Sequence, residues 1–151
     1  MDIREGGLDD PRVVALLDAY FEGLRANTRA ESSRLLDHAA LRTSDTTFWT
    51  AWDGEHLLGC CALKALDAEQ GEVKAMRTSE EHLRRGTGAA LLSHILGLAR
   101  ARGYRRLSLE TGTGPAFEPS YALYRQFGFT DCGPFAAYKE DPHSCFMSRI
   151  I

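Results

Sequence analysis

Between Arg84 and Ala89 the chain reads Arg-Arg-Gly-Thr-Gly-Ala, and a helical pattern begins directly behind it. Gly86 and Gly88 have no Cβ, so a ligand can approach the backbone there closely. The first N–H groups of a helix lack partners within it, and the helix dipole puts partial positive charge at that end. Arg84 and Arg85 add two full charges beside it, and Thr87 and Ala89 are small. These parts make a socket for phosphate or pyrophosphate. A P-loop would close on Gly-Lys-Ser/Thr, whereas Gly88 is followed by Ala89 and Ala90, so the lysine and the magnesium hydroxyl are missing. A dinucleotide site would use Gly86, Gly88 and the acidic Glu110, but it lacks the third glycine, and the turn from Thr78 to Gly86 is long for it.

The elements that must position the socket follow from periodicity. Asp2 to Arg4 suits a short first strand, and Asp10-Pro11 caps a helix whose apolar positions Val13, Leu16, Leu17, Tyr20, Phe21 and Leu24 recur at helical spacing to about Arg25. A second, shorter helix is expected after a Ser32 or Ser33 cap, burying Leu35, Leu36 and Ala39 or Ala40. From Thr46 the period becomes two, up to an Asp53-Gly54 hairpin turn and a returning strand, Leu57 to Leu66, apolar on both faces. After a second turn, Gly71 to Thr78 is the strand that enters the socket, with Glu72, Lys74 and Met76 expected on one face. The helix behind Gly86 ends at Gly103, and Tyr104 to Thr111 returns as a strand parallel to its predecessor. A helix from about Glu118 to Phe127 stops at Gly128, and two closing strands, 129–135 and 145–151, complete the chain. The expected fold is a single α/β (α+β) domain over 1–151, its sheet mostly antiparallel with one parallel, splayed pair and about four flanking helices.

Composition narrows the partners. A 151-residue chain with 44% hydrophobic and 26% charged residues suits one domain with its own core. A net charge of -3 argues against nucleic acid, and no apolar run reaches the roughly 20 residues of a membrane span. The charged N-terminus has no signal-peptide centre, so a cytoplasmic location is expected. The four cysteines and five histidines show no metal-ligand spacing, and the thiols are expected to be free. Cys60 and Cys61 lie mid-strand among apolar residues, which suits core packing rather than a nucleophile. Phe48, Trp49 and Trp52 form an aromatic stripe that either covers a sheet face or lines a ligand site.

Two segments carry a resemblance. Leu83-Arg84-Arg85-Gly86-Thr87-Gly88-Ala89 resembles the acetyl-CoA pyrophosphate loop, Arg/Gln-x-x-Gly-x-Gly/Ala, of the GNAT N-acetyltransferase superfamily. Ala122-Leu-Tyr-Arg-Gln-Phe-Gly-Phe129 is similar to that family's Leu-Tyr-x-x-x-Gly-Phe helix end. The element order matches over essentially the whole chain. Met76-Arg77-Thr78, Leu107-Ser-Leu-Glu-Thr111 and Phe117-Glu-Pro119 resemble, more narrowly, a bacterial branch of indole-3-acetic acid acetyltransferases. Leu83 stands where the loop usually has Arg or Gln, and Phe117 where many members have Asn, so those side-chain contacts do not carry over.

The resemblance implies acetyl transfer from acetyl-CoA to a small-molecule amine, without a metal and without a covalent enzyme intermediate. The backbone of Met76, Arg77 and Thr78 would take the pantetheine arm and offer an N–H to the thioester oxygen, while Arg84 to Ala89 take the pyrophosphate. Tyr124 would be the general acid that protonates the departing thiolate. Two glutamates compete for the base. Glu72 has the separation from the loop seen in histone-acetylating members, and Glu110 ends the neighbouring parallel strand, where functional groups collect. A salt bridge to Lys74 or Arg106 is the alternative role for either. Arg25, Arg29 and Arg34 suit either a carboxylate-bearing acceptor or a solvated helical hairpin, and the sequence leaves the acceptor and a homodimer open. A non-catalytic acyl-CoA-binding module on the same fold is the rival function.

Overall fold

The computed structural model describes residues 1–27 and 38–151, with side chains of 1–20 and 38–151. The expected cap and apolar positions 32–36, the side chains of Leu24 and Arg25, and Arg29 and Arg34 lie outside the described residues; residues 38–40 are helical.

Seven strands form one sheet in the order β1-β2-β3-β4-β5-β7-β6. They are β1 (Asp2–Glu5), β2 (Thr46–Asp53), β3 (His56–Ala65), β4 (Gln70–Thr78), β5 (Arg106–Gly112), β6 (Thr130–Cys132) and β7 (Ser144–Ile150). Helices α1 (Pro11–Asn27), α2 (Thr87–Ala101) and α3 (Glu118–Gln126) connect them. Every pairing is antiparallel except β4–β5, where the α2 crossover brings the chain back in the same direction. The hairpin closes through Gly54, at φ +58, with Asp53 paired to His56. The last strand is inserted between β5 and β6, so the chain's closing strands are not in chain order across the sheet.

A core cluster lies on each side of the sheet. Leu91, Leu92 and Ile95 of α2 and Tyr121 and Tyr124 of α3 pack with Trp49, Val73, Leu107 and Leu109 on one side. Val13 and Leu17 of α1 pack with Phe48, Trp52, Cys60 and Ala75 on the other. Strands clothed on both faces need apolar residues in both registers, which is why β3 is continuously buried from Leu58 to Leu63.

Two irregularities open the middle of the sheet. In the β3–β4 ladder Ala62 pairs with Lys74 and Cys60 with Arg77, so Ala75 and Met76 together oppose Cys61. This is a bulge, and Ala75 takes φ +50 within it. The extra residue reverses the alternation. Ala75 therefore joins the α1-side cluster, while Met76 packs with Val73 on the opposite side. The expectation that Met76 shares a face with Glu72 and Lys74 is corrected on this ground. Beside the bulge, β4 and β5 pair only from Gln70↔Arg106 to Val73↔Leu109. Beyond that point, among the described residues, β5 continues against β7 alone, and the β5-facing edge of residues 75–78 has no strand partner.

Candidate active site

The splay between β4 and β5 is filled by a cavity of about 140 Å³. Tyr20 of α1, Lys74 to Arg77 of β4, Glu110 and Thr111 of β5, and Tyr124 of α3 line it. Its walls come from both sides of the sheet, since Tyr124 belongs to the α2–α3 cluster and Tyr20 packs on the α1 cluster. A groove of about 280 Å³ adjoins it, sharing Met76, Arg77, Ala116 and Ser120, and runs along Thr78 and Leu123 to Gly88. A path therefore leads from the start of α2, along the unpaired edge of β4, into the gap in the sheet.

The start of α2 is built to receive an anion. The first intrahelical bond there runs from Ala90 N–H to Gly86 O, so the amides of Thr87, Gly88 and Ala89 have no partner inside the helix. Gly86 caps the helix at φ +78 with no side-chain bond, and Arg84 is also left-handed, at φ +63. Left-handed residues flanking an ordinary one turn successive N–H groups toward a common centre, the backbone arrangement that binds phosphates. The hydroxyl of Thr87 is buried without a hydrogen-bond partner among the described residues, and Arg84 and Arg85 are exposed beside it. Gly88 lies under Leu123, whose Cδ2 would be 2.9 Å from an added Cβ, so α3 sits directly against the loop. A diphosphate fits this donor set. Leu83, at the usual Arg/Gln position, is exposed and lines the groove as an apolar wall.

Tyr124 is buried, with its ring edge-on to Phe129, and that burial pushes its pKa well above the ordinary tyrosine value. It keeps its proton at neutral pH. Glu110 shares the cavity with it and accepts a 2.6 Å hydrogen bond from the Ser144 hydroxyl through Oε2, leaving Oε1 without a partner among the described residues. Glu72 is placed elsewhere. It is 3% exposed and accepts from the Tyr138 hydroxyl at 2.6 Å and from Lys74 Nζ at 3.4 Å, beside a separate hollow formed with Lys64 and residues 136–138. Burial, reinforced by the Glu72 carboxylate, drives the Tyr138 pKa upward. The structure thus brings Glu110, not Glu72, together with Tyr124. Arg106 pairs with neither glutamate among the described residues.

The remaining candidates are structural. Burial pushes the Cys60 thiol up to about 12 and raises that of Cys61 as well, and neither lines the cavity. Phe48, Trp49 and Trp52 clothe the sheet: Trp49 meets His94, and Trp52 lies under Arg12. Sequence reasoning placed Tyr20 only on an apolar helix face and missed Tyr138 altogether. Tyr20 reaches the cavity and Tyr138 the separate Glu72 hollow from segments about 50 or more residues from β4, and no local pattern signals that.

A splayed parallel pair, a bulge at the branch and a phosphate cradle at the next helix define an acyl-CoA-dependent transferase fold. A putative acyl-CoA N-acyltransferase from Klebsiella pneumoniae superposes with a TM-score of 0.79, at 23% identity over 99% of this chain and 96% of that one. An acetyltransferase from Elizabethkingia anophelis with acetyl-CoA bound gives 0.70, at 19% identity over 99% and 97%. The model of the Acetyltransferase (GNAT) family matches residues 12–129, and the chain belongs to that family. It is 46% identical to the uncharacterized N-acetyltransferase YsnE of Bacillus subtilis over the full length of both. It is 39% identical to the IAA acetyltransferase of Azospirillum brasilense, over 98% of this chain and 95% of that protein. The chain is therefore a GNAT acetyltransferase with acetyl-CoA as its acyl donor.

Proposed function

We propose that the protein transfers acetyl directly from CoA to the amine of a small molecule in a ternary complex, with Tyr124 as general acid and Glu110 as base. One observation carries this reading: Tyr124 and Glu110 line one cavity, and that cavity is continuous with the groove leading to Gly88. The amides from Arg84 to Ala89 hold the pyrophosphate, and pantetheine lies along the unpaired edge of Met76, Arg77 and Thr78. A fixed N–H at the bulge then faces the thioester oxygen, where negative charge develops.

An alkylammonium must lose a proton before it can attack, because its pKa is near 10.4. Glu110 takes that proton, directly or through one water. The amine nitrogen bonds to the thioester carbon, the C–S bond breaks, and the thiolate takes a proton from Tyr124. The new amide nitrogen has lost two protons in all. One is regained by sulfur and one leaves to solvent. Burial keeps Tyr124 protonated, so it has a proton to give when the thiolate departs. Four free thiols, two of them fully buried, support a reducing cytoplasmic setting.

Acetyl-CoA offered with panels of amines, amino acids and indole acids, with free thiol as readout, tests the reading. Turnover that falls in Tyr124→Phe and Glu110→Gln supports it. Tight acetyl-CoA binding with no thiol release on any acceptor would instead make the chain an acyl-CoA-binding module.

A further inference from the structure

The acceptor side of the cavity carries two cations that acetyl transfer does not use. Val73 and Leu109 are the last paired residues of β4 and β5, and both point into the α2–α3 cluster. The next residue on each strand, Lys74 and Glu110, therefore points to the α1 side. Lys74 and Glu110 thus stand on adjacent strands where the pair begins to splay, and both line the cavity. Beyond the bulge Arg77 also reaches the α1 side, lining both the cavity and a hollow along α1 that includes Leu16 and Ala19.

The charges are unevenly matched. Among the described residues Lys74 Nζ has two partners, Glu72 Oε2 and the Tyr138 hydroxyl, each at 3.4 Å, which leaves one donor over. Among the described residues the one ion pair of Arg77 is a loose contact at 3.7 Å to Glu80, whose side chain is 83% exposed, and its Nε is buried with no hydrogen-bond partner. A buried guanidinium N–H without a partner is unusual, and a planar carboxylate satisfies it well.

We propose that the acceptor is an amino acid: its amine meets Glu110, and its carboxylate, one or two carbons away, is held by Lys74 and Arg77. Glu72 and Tyr138 then serve to hold Lys74 in place, which makes Glu72 a positioning residue. The inference rests on the amine acetylation proposed above. A short acceptor is required because the anchoring cation and the base stand on adjacent strands at the branch.

The test compares three equimolar mixtures at saturating acetyl-CoA: the eighteen common L-amino acids other than proline and cysteine, their α-carboxamides, and the primary amines left by their decarboxylation. A charge-assisted bond contributes enough that the acids should release thiol about ten- to a hundredfold faster than either other set. Lys74→Met and Arg77→Met should bring the acid-to-amine ratio toward one by raising the acceptor KM, while Lys74→Arg restores the preference. If a variant does not fold, the wild-type ratio alone decides. Equal or faster release with carboxamides and plain amines overturns the carboxylate site and leaves amine acetylation standing. No release from any of the three mixtures, with acetyl-CoA bound, overturns the amine reading and this inference with it.

Discussion

A phenol, a carboxylate and a strand of unpaired peptide groups meet in one gap, and each has a separable consequence. Tyr124→Phe removes the proton donor while keeping the ring packed on Phe129, so turnover should fall about 10²- to 10⁴-fold with little change in acetyl-CoA affinity. Unchanged turnover would sink the acid role. Glu110→Gln should lower turnover by a similar order, again about 10²- to 10⁴-fold. Glu72→Gln should act differently, since Glu72 touches Lys74 and Tyr138 rather than the gap. Its expected signature is a raised acceptor KM with turnover largely kept, and a Glu72→Gln enzyme crippled in turnover at saturating acceptor would restore Glu72 as the base.

At the level of elements, the site depends on how β3 and β4 meet at the bulge. Gly59 sits against that segment, and a Cβ there would lie 2.6 Å from the backbone oxygen of Arg77. Backbone cannot rotate away as a side-chain tip can. Gly59→Ala should therefore displace the end of β4, destabilise the fold by about 1–3 kcal/mol and weaken acetyl-CoA binding together. Thermal melting and calorimetry on the same sample check both, and a normal melting temperature with normal affinity would contradict the assigned role of this edge. Gly86→Ala, placed at φ +78 in open space, strains only the cradle and should affect binding more than stability.

For the whole molecule, acetyl-CoA bound as proposed would join α2, β4 and α3 and so should stabilise all of them. At a hundred times its Kd a ligand contributes about 2.7 kcal/mol, which for a chain of this size raises Tm by roughly 5–10 °C. Alkaline stability has a definite sign. Burial raises Tyr20, Tyr124 and Tyr138 above their ordinary value of 10.0, so in the folded state they hold protons that the unfolded chain releases. Their contribution is complete below pH 10 and is lost as pH rises beyond it toward the folded values. Denaturant midpoints should drop steeply above pH 10, and less steeply in Tyr124→Phe. Among the described residues no helix is long and apolar enough to cross a membrane.

Local chemistry by itself determined much of this protein. The two-residue hairpin at Gly54, the helix starting behind Gly86, the left-handed stop at Gly103 and the parallel return of β5 follow from short-range sterics and periodicity, and all are present. So does the cradle, because a helix start exposes its amides wherever it occurs. Tertiary structure alone decided which glutamate lines the cavity with Tyr124 and which face Met76 takes. Strict alternation would have kept Met76 with Glu72, but one inserted residue at Ala75 reverses it, and the bulge is visible only against the register of β3. It likewise decided that Tyr20 enters the cavity and Tyr138 reaches Glu72, since sheet order and loop docking bring together residues whose spacing in the chain carries no period.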